Sequence, residues 1–135
     1  MPTLFTRILN REIPGRFVYE DERCAAFLSI APLRPGHTLV VPREEVDHWV
    51  DLDPDLAAWC MRVAQRVGRA QQKAFQPRRI GMLIAGMEVP HVHLHVVPIE
   101  GERDLNFAHA DPHPRPEDLD RAAEALREAL ASEGP

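Results

Sequence analysis

Apolar and polar positions alternate most strictly along His91-Val92-His93-Leu94-His95-Val96-Val97-Pro98. A two-residue period predicts a β-strand. Successive strand side chains point to opposite faces, so His91, His93 and His95 share one face while Val92, Leu94 and Val96 turn into a core. Val97 and Pro98 are expected to close the strand, because proline removes a ladder donor. Elsewhere the period changes. Leu4, Phe5, Ile8 and Leu9 fall at helical spacing and predict a short amphipathic helix stopped at Ile13-Pro14-Gly15. Phe17-Val18-Tyr19 and Cys24 to Ile30 read as two strands of a hairpin, with the turn at 20–23. After the breaker-rich loop 31–36, His37 to Val41 reads as a third strand ending at Pro42, and Arg43 to Trp49 as a short helical turn.

Asp53-Pro54 has the signature of a helix start, with aspartate as N-cap and proline in the first helical position. Leu56, Cys60, Val63, Val67 and Ala70 or Gln71 then trace one face to about Ala74, with Gln76-Pro77 as the stop. Such a helix is roughly 30 Å long, enough to lie across a sheet. Ile80 to Ala85 is apolar at nearly every position, which predicts a strand covered on both faces or set at a subunit contact. Gly86 to Pro90 leads from it into the histidine strand. Past Pro98 a polar loop carries His109 and His113, and Pro116 opens a final helix with Leu119, Ala122 or Ala123, Leu126 and Leu130 inward. The sum is an α+β fold, an antiparallel sheet of about five strands with one long helix packed on it. We expect a single domain over 1–135, its core about 4–98, with a C-terminal loop and helix at 99–135.

Composition narrows the partners. A net charge of −5 over 135 residues argues against general nucleic-acid binding but leaves a local site for a small phosphorylated ligand open. Cys24 and Cys60 suit neither a disulfide framework nor a CxxC metal site; both lie in apolar stretches and are expected to be buried free thiols. With no long apolar span in the sequence, we expect a cytoplasmic protein without a membrane partner.

The histidine row sets the chemistry. A neutral imidazole is abundant at neutral pH, since its ordinary pKa is about 6.5. It can attack phosphorus and form a phosphoramidate, provided its far nitrogen is fixed by a hydrogen bond. His93 is central and is the candidate nucleophile. His95 and His91 flank it as candidate donors to phosphate oxygens or a leaving group. His37 opens its strand after Pro35-Gly36, and spacing alone leaves it even between the end of that row and a half-exposed loop. Three imidazoles also suit zinc or copper, but ligands at i, i+2 and i+4 of one strand converge poorly on a tetrahedral centre. His37 or Glu88 would be the added ligand in that reading.

The run His91 to Val97 matches His-φ-His-φ-His-φ-φ, and the chain resembles the histidine triad (HIT) family. Phe5 to Pro14 is similar to that family's opening helix, Asp21 to Phe27 to its first hairpin, and Pro35 to Pro42 to its next conserved block. The resemblance implies a nucleotide-binding α+β fold whose sheet continues across a homodimer. It implies a hydrolase or transferase acting on the α-phosphate through a nucleotidyl-histidine intermediate. We expect no cofactor and no metal at the site. It places His93 as nucleophile and His91, His95 and His37 in support. Leu4, Phe5, Ile8 and Phe27 fall where the family lines its base pocket; the residues alone read as ordinary core. By length the chain is nearest the Hint-like branch, which cleaves nucleoside phosphoramidates, so the implied ligand is a purine nucleotide or its conjugate. Three places depart. Ser29 stands where the branch commonly has an aspartate for the ribose, Gly86-Met87-Glu88 where it has a polar Gly-Gln-Ser/Thr segment that contacts phosphate, and an upstream asparagine of the branch has no counterpart near Ile80. Glu88 is open between repelling an anion, orienting a histidine or leaving amine, and being a solvated loop acid. These departures keep a second reading alive, a catalytically weak nucleotide-binding regulatory module, with a zinc protein behind it.

Overall fold

A computed structural model describes residues 2–133. Thr3 caps helix α1 (Leu4–Leu9) by accepting from the Thr6 N–H. Strands β1 (Phe17–Glu20), β2 (Cys24–Leu28) and β3 (Thr38–Pro42) follow, then helix α2 (Pro54–Phe75), strands β4 (Arg79–Leu83) and β5 (Leu94–Ile99), and helix α3 (Pro116–Glu133). The five strands form one antiparallel sheet in the order β1-β2-β3-β5-β4. The α+β architecture read from the sequence is therefore the observed one. No helix among the described residues is long and apolar enough to cross a membrane.

Strand parity divides the molecule. Val18, Cys24, Ala26, Leu28, Val40, Leu94 and Val96 face α2 and α3 and pack with Leu56, Cys60, Val63, Val67 and Leu126. Ala25, Phe27, Leu39 and Val41 face the other way, against Phe5, Ile8 and Leu9 of α1. Each fully buried aliphatic side chain here contributes about 1.5–3 kcal/mol. Helix α2 begins as expected, with Asp53 accepting from the Leu56 N–H, and ends where Gln76 turns into the left-handed region at φ 50°. The thiols of Cys24 and Cys60 are free and buried, with Cys24 Sγ 3.9 Å from Asp21 Oδ2.

Several boundaries differ from the sequence reading. β2 stops at Leu28, because Ser29 turns the chain: its Oγ accepts from the Ala31 N–H. Residues 43–48 form bends, and the short helical turn lies later, at Trp49–Asp51. β4 is an edge strand, partly exposed along its length, so its apolar run is not covered on both faces. β5 begins only at Leu94 and runs through Pro98 to Ile99. Proline is accommodated there because β3 reaches no further than the Thr38–Val96 pair, leaving β5 one neighbour.

Candidate functional site around the histidine row

Although His91 and His93 precede the ladder, the alternation survives. The segment is held by the Val92 N–H donating to Val46 O and the His91 N–H donating to Val89 O. Val92 stays in the α2-side core, and the three imidazoles stand on the α1 side, where Phe5 lies 4.7 Å from the His93 ring and 5.9 Å from the His91 ring, centroid to centroid. The His93 and His95 rings are 4.8 Å apart.

His37 joins the row. Leu39 pairs with His95 across β3 and β5, and His37, two residues earlier on the same face, reaches the same ring. The turn that delivers it needs Gly36 at φ 89°, where a Cβ would also run into Phe75. The Gly36 carbonyl is held from two directions, by Thr38 Oγ1 at 2.8 Å and by Gln71 Nε2 at 2.9 Å. Gln71 also donates to Val96 O at 2.8 Å, so one buried amide of α2 ties the His37 turn to β5.

The partners of the ring nitrogens assign every tautomer, because a carbonyl only accepts and a backbone N–H only donates. The Leu33 N–H donates to His37 Nδ1 at 3.0 Å. His37 therefore carries its proton on Nε2 and donates it to His95 Nδ1 at 2.9 Å. His95 in turn keeps its own proton on Nε2. His93 Nδ1 donates to the His91 carbonyl at 2.7 Å, which leaves the His93 Nε2 lone pair uncommitted. His91 Nε2 donates to Pro42 O at 2.8 Å, and its Nδ1 accepts from Thr3 Oγ1 at 2.7 Å. Among the described residues, only His93 Nε2 and His95 Nε2 have no protein partner in the row.

Burial favours the neutral form of all four rings. Desolvation, aided by the neighbouring histidines, pushes His95 down to about 3 and His37 to about 4. His91 and His93 are lowered by desolvation too, against which the Pro42 carbonyl and Glu45 pull His91 upward, and the His91 carbonyl and Glu88 pull His93 upward.

Beside the row lies a cavity of about 280 Å³. Leu4, Phe5, Ile8 and Phe27 line it, with Ser29, Glu88, His93 and His95 at its polar side. Seven of the residues singled out from the sequence thus meet at one hollow, with Glu88 the eighth. The remaining three stand elsewhere: His37 and His91 are behind the rings, and Met87 is 89% exposed, lining only a smaller hollow of about 80 Å³ with Glu88, His93 and His95. Ser29 contributes little as an acceptor, since its Oγ already serves the Ala31 N–H. The sequence reading missed Phe107, whose ring lies 4.9 Å from His95 and lines that smaller hollow; its signal was a lone aromatic in an otherwise polar loop. It also missed Thr3, Thr6 and Glu45, which gather behind His91.

This geometry defines a class, a sheet that presents a row of neutral, tautomer-locked imidazoles to an apolar hollow. The model for the HIT domain matches residues 10–102, and the chain belongs to the histidine triad family. It is 33% identical over 138 residues to the Protein hit of Bacillus subtilis, covering 96% of this chain and 94% of that one. Among solved structures it is similar to a zinc-bound histidine triad family protein from Mycobacterium smegmatis, with 31% identity, 96% and 94% coverage and a TM-score of 0.83. It is also similar to a hypothetical histidine triad nucleotide-binding protein from Sulfolobus tokodaii, with 29% identity, 95% and 91% coverage and a TM-score of 0.84.

Proposed function

We propose that this protein is a nucleotidyl hydrolase or transferase that acts on the α-phosphate of a purine nucleotide conjugate, a phosphoramidate above all, through a nucleotide covalently held on His93. The observation that carries the reading is the His93 Nε2 lone pair, free of any donor among the described residues and set beside an apolar hollow of about 280 Å³.

The steps follow from the tautomers. The base enters the hollow between Phe5, Ile8 and Phe27. The lone pair of His93 Nε2 attacks phosphorus and forms a P–N bond as the bond to the leaving group breaks. The leaving group departs with that electron pair and takes a proton from water. His95 Nε2–H, aimed by the His37 relay, donates a hydrogen bond to a phosphoryl oxygen. The nucleotidyl imidazolium keeps its Nδ1–H, and the His91 carbonyl and the Glu88 charge stabilise it. Water then attacks phosphorus, the P–N pair returns to Nε2, and the spare proton goes to solvent.

A zinc module fits these residues less well. His91 and His37 spend both ring nitrogens on protein partners, and among the described residues no group of three His, Cys, Asp or Glu side chains forms a metal cluster. We also propose a cytoplasmic homodimer joined along β4, in keeping with the free thiols, the open sheet edge, and Met82 and Met61 exposed beside it. A monomeric mass at micromolar concentration contradicts the dimer.

The test is turnover of an adenylated amine and of a dinucleotide. We expect hydrolysis by the wild type and a loss in kcat/KM on the order of 10³-fold or more in His93→Ala. Nucleotide binding without any turnover overturns the enzymatic reading in favour of a regulatory module.

A further inference from the structure

Behind His91, away from the hollow, three side chains of two separate segments meet. Thr3 Oγ1 lies 2.7 Å from His91 Nδ1 and Thr6 Oγ1 lies 3.5 Å from the same nitrogen. Glu45 Oε1 accepts from both the Thr3 N–H and the Thr6 hydroxyl, each at 2.7 Å. None of these residues touches the hollow, and helix capping accounts for only one of the bonds, the Thr6 N–H to Thr3 Oγ1.

The donor inventory makes the arrangement directional. Glu45 is an acceptor, so it consumes the Thr6 hydroxyl proton. Thr3 Oγ1 already accepts from the Thr6 N–H, and its own proton has two possible takers: Thr6 Oγ1 at 3.2 Å, or the closer lone pair of His91 Nδ1. His91 is fully buried, and its other nitrogen donates its N–H to Pro42 O. Removing the Thr3 donor would leave a buried ring nitrogen unpaired, which the ring relieves by moving or by taking up a proton. The His91 main chain is the acceptor that fixes His93 Nδ1–H.

We propose that Thr3, oriented by Thr6 and Glu45, is a positioning residue that holds the His91 ring in the tautomer its Pro42 bond selects and, through the His91 backbone, aims the reactive nitrogen of His93. The same segment carries Phe5 and Ile8 into the hollow, so one cluster docks the pocket wall and trues the nucleophile together. The inference rests on His93 being the nucleophile, but its structural half is measured without substrate.

Two substitutions separate capping from donation. Thr3→Ser keeps the cap and the donor; Thr3→Asp keeps the cap and loses the donor. Nitrogen chemical shifts of the imidazoles, read by NMR on the full chain, are expected to match wild type in Thr3→Ser and to move at both His91 and His93 in Thr3→Asp. With an adenylated amine, Thr3→Asp is expected to lower kcat about tenfold with KM little changed, the rate equivalent of one hydrogen bond. Glu45→Ala, at an exposed position that leaves the core intact, should move shifts and kcat the same way by less. Wild-type shifts at His91 and His93 in Thr3→Asp would overturn the proposal whether or not the protein turns over any nucleotide. Absent turnover in the wild type with moved shifts would instead count against the enzymatic reading alone.

Discussion

His93 is acted on by opposed influences: burial favours its neutral form, while the His91 carbonyl and, more weakly, the Glu88 charge favour its cation. The proposed reaction needs both, a neutral ring to attack and a stabilised cation once phosphorus is bound. The acid limb of kcat/KM should therefore reflect a His93 pKa below the ordinary value of about 6.5. Activity is expected to be level above that value and to fall as the pH drops through the lowered pKa. Glu88→Gln removes one of the two raising influences, so the limb should move to still lower pH while the plateau rate falls. A pH–rate series on the two proteins checks this, and a limb that stays put or moves upward contradicts the role given to Glu88. Residue identities in the row were readable from the alternation alone, but their protonation was not. It depends on Leu33, Pro42 and Thr3, which no spacing rule connects to a histidine 4, 49 and 88 positions away.

At the scale of elements, the His37 turn shows how a helix core position serves the site. Gln71 sits on the apolar face of α2, and the sequence gives no reason to choose it over Ala70 as the inward residue. Both are buried, but only Gln71 reaches across to the Gly36 and Val96 carbonyls. Gln71→Leu fills similar space and strands both acceptors, so chemical denaturation should show a loss of about 1–3 kcal/mol. Loosening of His37 should lower turnover beside it; unchanged stability would mean that water replaces the amide at no cost. Helices were the legible elements, because the N-cap at Asp53 and 3.6-residue stripes are local signals. Strand ends were less so. The apolar content of Ile80 to Ala85 says nothing of sheet order, and order alone made β4 an edge. The start of β5 slipped to Leu94 because β3 pairs with it only at Leu94 to Val96, a limit set by another strand's length.

Across the whole molecule, the sheet separates support from chemistry. One face carries α2 and α3 and most of the core; the other carries α1, the hollow and the imidazoles. That division follows from parity, so the sequence could place His91, His93 and His95 together before any coordinates. The N-terminal and 43–47 segments were opaque because their contribution is made through contacts 39 to 88 residues apart in the chain. The function proposed for the assembled molecule reduces to one bond, between His93 Nε2 and phosphorus. The most direct measurement is to mix the protein with an adenylated amine, denature it at alkaline pH, where P–N bonds persist, and map the modified nitrogen by peptide mass and NMR. We predict a nucleotidyl group on Nε2 of His93, absent from His93→Ala. Turnover with no adduct on His93, or with the label on another residue, would contradict the account.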